Sequence, residues 1–365
     1  MRMVIFGLTV TSSWGNGHAT LWRGLISALA PLGWSISFFE RNTPYYAGAR
    51  DIDRLSGGGV VLYPDWEDIR QEAEAAIRQA DVVIVTSYCP DAVEASRLAN
   101  DRCRGLKVFY DLDTPVTLAS IERGDYPAYF EPEGLRDFDL VLSYTGGPAI
   151  DALKRILGVR DVLPLYGHVD PDRHQPAQPR PEFAGDLSYL GTYAEDRQAG
   201  VESLLVAAAA RLPNRRFVIG GAQYPQDFPW SGNIYFVRHL PPADHPAFFS
   251  SSRLTLNVTR EAMARKGWCP SGRLFEAAAC GAAIISDDWA GLDSFFTPGS
   301  EILLAHTTDD VVAALGLSDS EIEALGRRAR ERVLDEHTSA HRAAELDRIL
   351  NGAVSTAGGA MEEVV

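Results

Sequence analysis

The sequence predicts an α/β protein built from two doubly wound parallel-sheet domains in tandem, and three observations predict it. Short runs of β-branched and aromatic residues alternate with helical stretches almost from end to end. Those runs are apolar on both faces, as strands are when helices cover both sides of a parallel sheet. The alternation breaks at "DPDRHQPAQPRPEFA" (170–184), which holds four prolines and no hydrophobic period, and then begins again.

In order, the first domain reads "MVIFGLTV", then a helix on which Leu21, Leu25, Ala28 and Leu29 share a face. "SISFFE", "GVVLY", a helix over Trp66–Gln79, "DVVIVTS", a helix to Ala99 and "LKVFYDLD" follow. Residues 114–135, rich in Tyr and Pro, read as irregular before "FDLVLSYT", a helix to Leu157 and "DVLPLY". The second domain reads "DLSYLG", a helix over Arg197–Leu212, "RFVIGG", "IYFVRHL", a helix near 243–251 and "RLTLNV". The motif helix in "PSGRLFEAAACG", "AAIISDD" and "EILLA" complete it. The predicted division is 1–168, a linker over 169–184, 185–318, charged helices over 319–351, and a disordered tail over 352–365. Such a tandem leaves a cleft between the carboxyl ends of the strands, where folds of this class bind ligands.

With 46% hydrophobic and 23% charged residues, the chain carries enough apolar side chain for two full cores. A formal charge of −15 without any Lys/Arg cluster argues against a nucleic-acid partner. Cys89, Cys103, Cys269 and Cys280 lie far apart without metal-ligand spacing, which reads as free thiols in a reducing compartment. No run reaches the ~18–20 apolar residues of a membrane span, so a cytoplasmic protein is expected.

The loop "TSSWGNGHAT" follows the first strand and opens the first helix, so Gly15, Asn16 and Gly17 are candidates for ligand contact. Glycine lets backbone approach a ligand, and helix-start amide groups attract phosphate; the same pattern also serves a plain strand-to-helix turn. There is no third glycine at dinucleotide spacing. His18 starts that helix, where the dipole favours the neutral base. In "FYDLDTP", Asp111 and Asp113 end a strand; the alternatives are metal binding, helix capping and, for Asp113, a substrate or catalytic role. His337 and His341 share a helical face without a third ligand, so no zinc site is expected there, and no metal is assigned anywhere.

In "YLGTYAEDRQ", Gly191, Thr192 and Arg197 occupy the equivalent loop of the second domain and suit a phosphate, the alternative for Arg197 being a surface role. In the motif helix, Ser271, Gly272 and Arg273 are followed one turn later by Glu276. Hydroxyl, helix start and arginine can grip phosphates while the carboxylate accepts vicinal ribose hydroxyls; the alternative is an Arg273–Glu276 pair on a solvated face. This reads as a grip for a nucleoside diphosphate.

The strings "FYDLDTPVTL", "FDLVLSYTGG", "LYGHVDP", "YLGTYAEDRQ", "PSGRLFEAAACGAAIISDDWAGLDSFFTPGSEILL" and "EHTSAHRAAELD" resemble the GT-B glycosyltransferases, and among them the CgeB-like group related to spore maturation proteins. The resemblance implies two Rossmann-like domains, the second holding a nucleotide-sugar donor, and a C-terminal helix crossing back onto the first. It places Glu276 on the donor ribose and Arg273 and Arg197 at its phosphates. Retaining members often carry a second Glu eight residues before the ribose Glu; here that position is Trp268. The expected activity is metal-independent sugar transfer to an unknown acceptor, without a cofactor, with His18 and Asp113 as candidate catalytic residues. Acceptor-side segments would be 41–58 and 114–135, with Tyr45, Tyr46, Tyr126, Tyr129 and Phe130. The alternatives are a sugar-nucleotide epimerase on the same architecture and a non-catalytic spore- or surface-associated binding protein.

Overall fold

The computed structural model describes residues 1–131 and 134–362. They form two compact units: Met1–Tyr166 with the stretch from Ser339 onward, and Gly167–Thr338.

The first unit runs β1 Arg2–Gly7, α1 Gly17–Leu29, β2 Ser35–Arg41, α2 Pro44–Ala47, β3 Gly58–Tyr63, α3 Trp66–Gln79 and β4 Val82–Thr86. It continues with α4 Ala92–Arg102, β5 Leu106–Asp111, α5 Thr114–Glu122, β6 Leu140–Ser143, α6 Pro148–Leu157 and β7 Val162–Pro164. All seven strands are parallel in the order β3-β2-β1-β4-β5-β6-β7. Alternate strand residues supply two cores. Phe6, Phe39, Val85, Phe109 and Val141 pack with the apolar faces of α3, α4 and α6. Ile5, Phe38, Ile84, Tyr110 and Leu142 pack on the other side with Leu21, Trp22 and Leu25 of α1. The order reverses direction between β1 and β4, so the loops beyond their carboxyl ends diverge and leave a crevice.

The second unit runs β8 Gly185–Leu190, α7 Glu195–Val201, α8 Ala207–Arg211, β9 Phe217–Gly221, β10 Ile234–Arg238, α9 His245–Ser250 and β11 Ser252–Asn257. It continues with α10 Glu261–Lys266, α11 Gly272–Ala279, β12 Ala283–Ser286, β13 Leu303–Leu304, α12 Thr308–Leu315 and α13 Asp319–Glu336. Its six parallel strands are ordered β10-β9-β8-β11-β12-β13, with the switch between β8 and β11. Where one helix over 197–212 is expected, a π-helical turn over Glu202–Val206 separates α7 from α8.

Three further expectations change, and the stretch over 170–184, read as an extended linker or long surface loop, gains anchors. Residues 114–122, read as irregular, form α5, begun by Pro115 in its first turn. The proline-rich stretch is tacked along the second unit: Ala177 N donates to Ser250 Oγ (3.0 Å) and Arg180 N to Ser251 Oγ (2.8 Å). The charged helices 319–351 divide between the units. A Ser318–Glu321 capping box starts α13, and close packing keeps it on the second unit. A Cβ at Gly326 would lie 2.3 Å from Gly281 O, and Arg330 Nε donates to Ala279 O (3.1 Å). Only the next helix, α14 Ser339–Glu362, belongs to the first unit, burying Ala343, Leu346 and Leu350 in the α1-side core. Trp34 Nε1 donates to Asp347 (2.7 Å) beside it. Finally, α14 carries Ala353 and Val354 on that apolar face and runs through most of the expected disordered tail; 363–365 lie outside the described residues. No helix among the described residues is long and apolar enough to cross a membrane.

Candidate functional site

Both crevices at the sheet reversals collect the residues singled out from the sequence. In the first unit His18, in the first turn of α1, lies with its ring 5.8 Å from Tyr88, which follows β4. Tyr88 takes φ +63°, a strained backbone for a side chain of that size, and its hydroxyl donates to Asp113 Oδ2 (2.9 Å). Asp113 is the residue before α5, yet its side chain does not cap the helix; it is turned to Tyr88. Asp111, 1% exposed, accepts from Thr117 Oγ1 (3.0 Å) and from Asp113 N (3.2 Å). Burial pushes its carboxyl up to about 6. Burial lowers His18 to about 4, and its Nδ1 is buried without a partner, so the ring is a neutral base at pH 7. Tyr88 joins the two candidate residues, and nothing in its local sequence marks it.

The first loop is less suited to phosphate than its glycines suggest. Val10 N and Thr11 N donate to the fully buried Glu40 (2.7 and 3.0 Å), and Ser13 N donates to Asp51 (3.1 Å). Asn16 caps α1 by accepting from His18 N (3.0 Å). Arg23 of α1 is held by both Asp51 oxygens (2.5 and 3.0 Å), and Arg50 donates to Thr11 Oγ1 (3.1 Å). Two carboxylates thus occupy the place of an anion. Gly15 is needed for the turn itself, at φ +59°, whereas a Cβ at Gly17 would meet nothing. Of the acceptor-side aromatics, Tyr129 and Phe130 belong to the core, while Tyr45 and Tyr126 are exposed.

The second unit's crevice has the opposite character. Gly191 and Thr192 follow β8, and a Cβ on Gly191 would lie 2.7 Å from the Tyr189 hydroxyl. Arg197, 9% exposed, donates through Nη2 to Thr192 O, while its Nε is buried without a partner. Burial lowers its pKa, and the like charges of Arg273 and Arg260 act in the same direction. Arg260 is neutralised by Asp196 (2.8 Å), but Arg273 donates only to Ser271 Oγ (3.3 Å) among the bonds of the described residues. Ser271 precedes α11 without capping it, so the hydroxyl, the amide groups after it and Gly272 open onto the same place. A polar knot holds the frame: Asp287 accepts from Thr259 N (2.9 Å) and Oγ1 (3.0 Å) across the ends of β11 and β12. Trp268, at φ +43°, donates its N–H to Ala290 O (2.7 Å), and its indole lies where a Cβ of Gly291 would be. With Trp289, Asp288 and Asp293 it lines an open depression of about 700 Å³.

Glu276 is not the solvated partner of Arg273. Its carboxylate is 14% exposed, with His245 Nδ1 3.5 Å from Oε2 and His174 Nε2 3.9 Å from Oε1. Burial pushes this carboxyl up, but His174, His245 and Arg273 outweigh it and hold it at about 2, so it is ionised. Burial lowers His174, an effect Glu276 only offsets in part. Both histidines escaped sequence reasoning, one lying in the proline-rich stretch and the other starting the short α9.

Residues 197–348 match the family model described as glycosyl transferase-like. Comparison with curated proteins gives no match. Solved structures match across nearly the whole chain. Sucrose-phosphate synthase from Thermosynechococcus elongatus has a TM-score of 0.68 at 14% identity, over 98% of this chain and 100% of that one. HepE of Anabaena, in complex with UDP and glucose, has 0.67 at 12%, over 96% and 99%. An alpha-glucosyltransferase, in complex with UDP-glucose and DNA containing an abasic site, has 0.70 at 12%, over 96% and 99%. At these identities the likeness shows the fold: two Rossmann-like parallel-sheet domains of the GT-B glycosyltransferase type.

Proposed function

We propose that this chain is a glycosyltransferase of the CgeB-like type that moves a sugar from a nucleoside-diphosphate donor, with UDP-sugars the leading donor class. The observation that carries this is the set at the second unit's switch point: Arg197 and Arg273, neither in an ion pair with an acid among the described residues, at the uncapped start of α11, with Glu276, kept ionised in part by Arg273, one turn on. The arginines and amide groups take the diphosphate, and their charge stabilises it as it leaves, without requiring a metal. Gly191 and Thr192 give the phosphates close backbone approach, and Glu276 accepts the ribose hydroxyls.

In the first unit, His18 and Asp113 are the candidate reacting groups. Neutral His18 takes the acceptor proton in an inverting reaction, with Asp113 oriented through Tyr88 beside it. If configuration is retained, the leaving phosphate itself accepts that proton and the pair orients the sugar. Asn16 caps the helix that carries His18, and Gly15 and Gly17 keep the backbone beside it open to the donor sugar. The net charge of −15 favours a small-molecule, glycan or protein acceptor over a polyanion.

The test is product analysis by NMR with UDP-sugars, with and without a mixture of acceptors. Sugar transfer with release of the nucleoside diphosphate supports the proposal. A sugar nucleotide epimerised with no acceptor present would replace it with the epimerase, and no turnover or binding with any donor would leave a non-catalytic protein.

A further inference from the structure

Beyond donor chemistry, the geometry points to a divalent transition-metal site of zinc type formed by His174, His245 and Glu276. One ligand atom from each lies within 4.8 Å of the other two. His174 Nε2 stands 3.9 Å from Glu276 Oε1, and His245 Nδ1 stands 3.5 Å from Oε2, with the rings 6.2 Å apart. Ligand atoms around a four-coordinate zinc lie roughly 3.3 Å apart, given bonds of about 2.0–2.1 Å. A sub-ångström adjustment of side chains would therefore close all three on one ion.

Plain hydrogen bonding explains the cluster less well. His174 is only 6% exposed, yet among the described residues its ring is met only loosely, by the Asp170 backbone and by Glu276 Oε1 at 3.9 Å, and the buried His245 Nδ1 lies 3.5 Å from Glu276 Oε2 without a well-aligned hydrogen bond. Desolvating imidazole nitrogens that are so poorly satisfied is costly, and a cation on the carboxylate side would satisfy one from each ring together. Two histidines and one carboxylate are a donor set that zinc accepts while keeping a fourth position open. All three residues lie in the second unit, on the tacked-down proline-rich stretch, α9 and α11.

The metal assignment stands on this geometry alone. One consequence rests on the donor reading: the carboxylate given to ribose is the one the ion would take, so metal and donor exclude each other.

Chelator-treated full-length protein is titrated with CoCl2 by visible absorption and with ZnCl2 by calorimetry, without nucleotide. One equivalent should bind, with the intense bands of four-coordinate cobalt. His174→Phe, which keeps a buried ring, and His245→Gln should each weaken binding by more than roughly 100-fold, beyond what loss of an outer-shell partner costs. His306→Ala, at an exposed histidine, should change nothing. If His174→Phe does not fold by circular dichroism, the partly exposed His245 decides alone. No stoichiometric binding, or binding that survives the substitutions, overturns the site. UDP affinity is then measured in EDTA and in ZnCl2. Weaker UDP binding in zinc supports the exclusion, and equal affinity overturns it. Absence of UDP binding in EDTA counts against the donor reading and leaves the metal result standing.

Discussion

The crevices at β1/β4 and at β8/β11 occupy equivalent points of two similar sheets, yet their loops treat charge in opposite ways. In the first unit Glu40 and Asp51 hold the amide groups of Val10, Thr11 and Ser13 and the Arg23 guanidinium, Arg50 donates to Thr11 and Asn42, and beside them stand a neutral histidine, a phenol and two acids. In the second, Arg197 and Arg273 form no ion pair among the described residues, Arg273 acting on Glu276 only at longer range, and no side chain caps α11. Topology gives both units a place for a ligand; the side chains decide which ligand. A crevice already filled with carboxylates suits proton transfer, and one with unneutralised cations suits a diphosphate.

Several experiments break or sharpen this contrast. The largest effect is expected in the first unit: His18→Ala or Asp113→Asn should lower turnover by ~10²- to 10⁴-fold while donor affinity changes little. Steady-state kinetics beside calorimetry checks it; a loss of donor affinity instead would merge the two roles, and near-full activity in both variants would place the reacting centre elsewhere. In the second unit, Glu276→Gln should weaken donor binding by roughly ten- to a hundredfold, since one charge-assisted hydrogen bond is worth about 1.5–3 kcal/mol. Unchanged affinity would make Glu276 a partner of its histidines only.

Tyr88→Phe removes one hydrogen bond to Asp113, about 1 kcal/mol, and should cost roughly fivefold in turnover with donor affinity intact. The smallest signal is the charge of His18. NMR titration of its ring should show it neutral down to about pH 4 rather than the ordinary 6.5. A histidine pKa lowered in the folded state contributes stability that is present above pH 6.5 and lost as pH falls from there toward 4. A midpoint near 6.5 would remove the buried neutral base.

The layout of strands and helices was legible because two-sided apolar runs and turn residues are local signals. The proximity of Ser271, Arg273 and Glu276 was legible for the same reason: one helix start carries all three. Tyr88 was not, because its role depends on a positive φ and on a partner across two strands. His174 and His245 were hidden too, since only tertiary packing brings a proline-rich stretch and the start of α9 to α11. In the first loop the hold of Glu40, on the neighbouring strand, on the Val10 and Thr11 amide groups was equally hidden. The end of α13 could not be read either, because Gly326, which fixes that helix to the second unit, looks like an ordinary weak point in a helix.

The central claim is that the second unit's cations hold a nucleoside diphosphate. Calorimetry of the wild-type protein and of Arg273→Ala with UDP, GDP, dTDP and their sugars, in chelator, tests it most directly. The account predicts saturable binding of at least one of them, UDP first, and loss of roughly tenfold or more in Arg273→Ala, as removal of a charged hydrogen bond to phosphate implies. Absence of binding to every nucleotide, or binding that Arg273→Ala leaves unchanged, would contradict it.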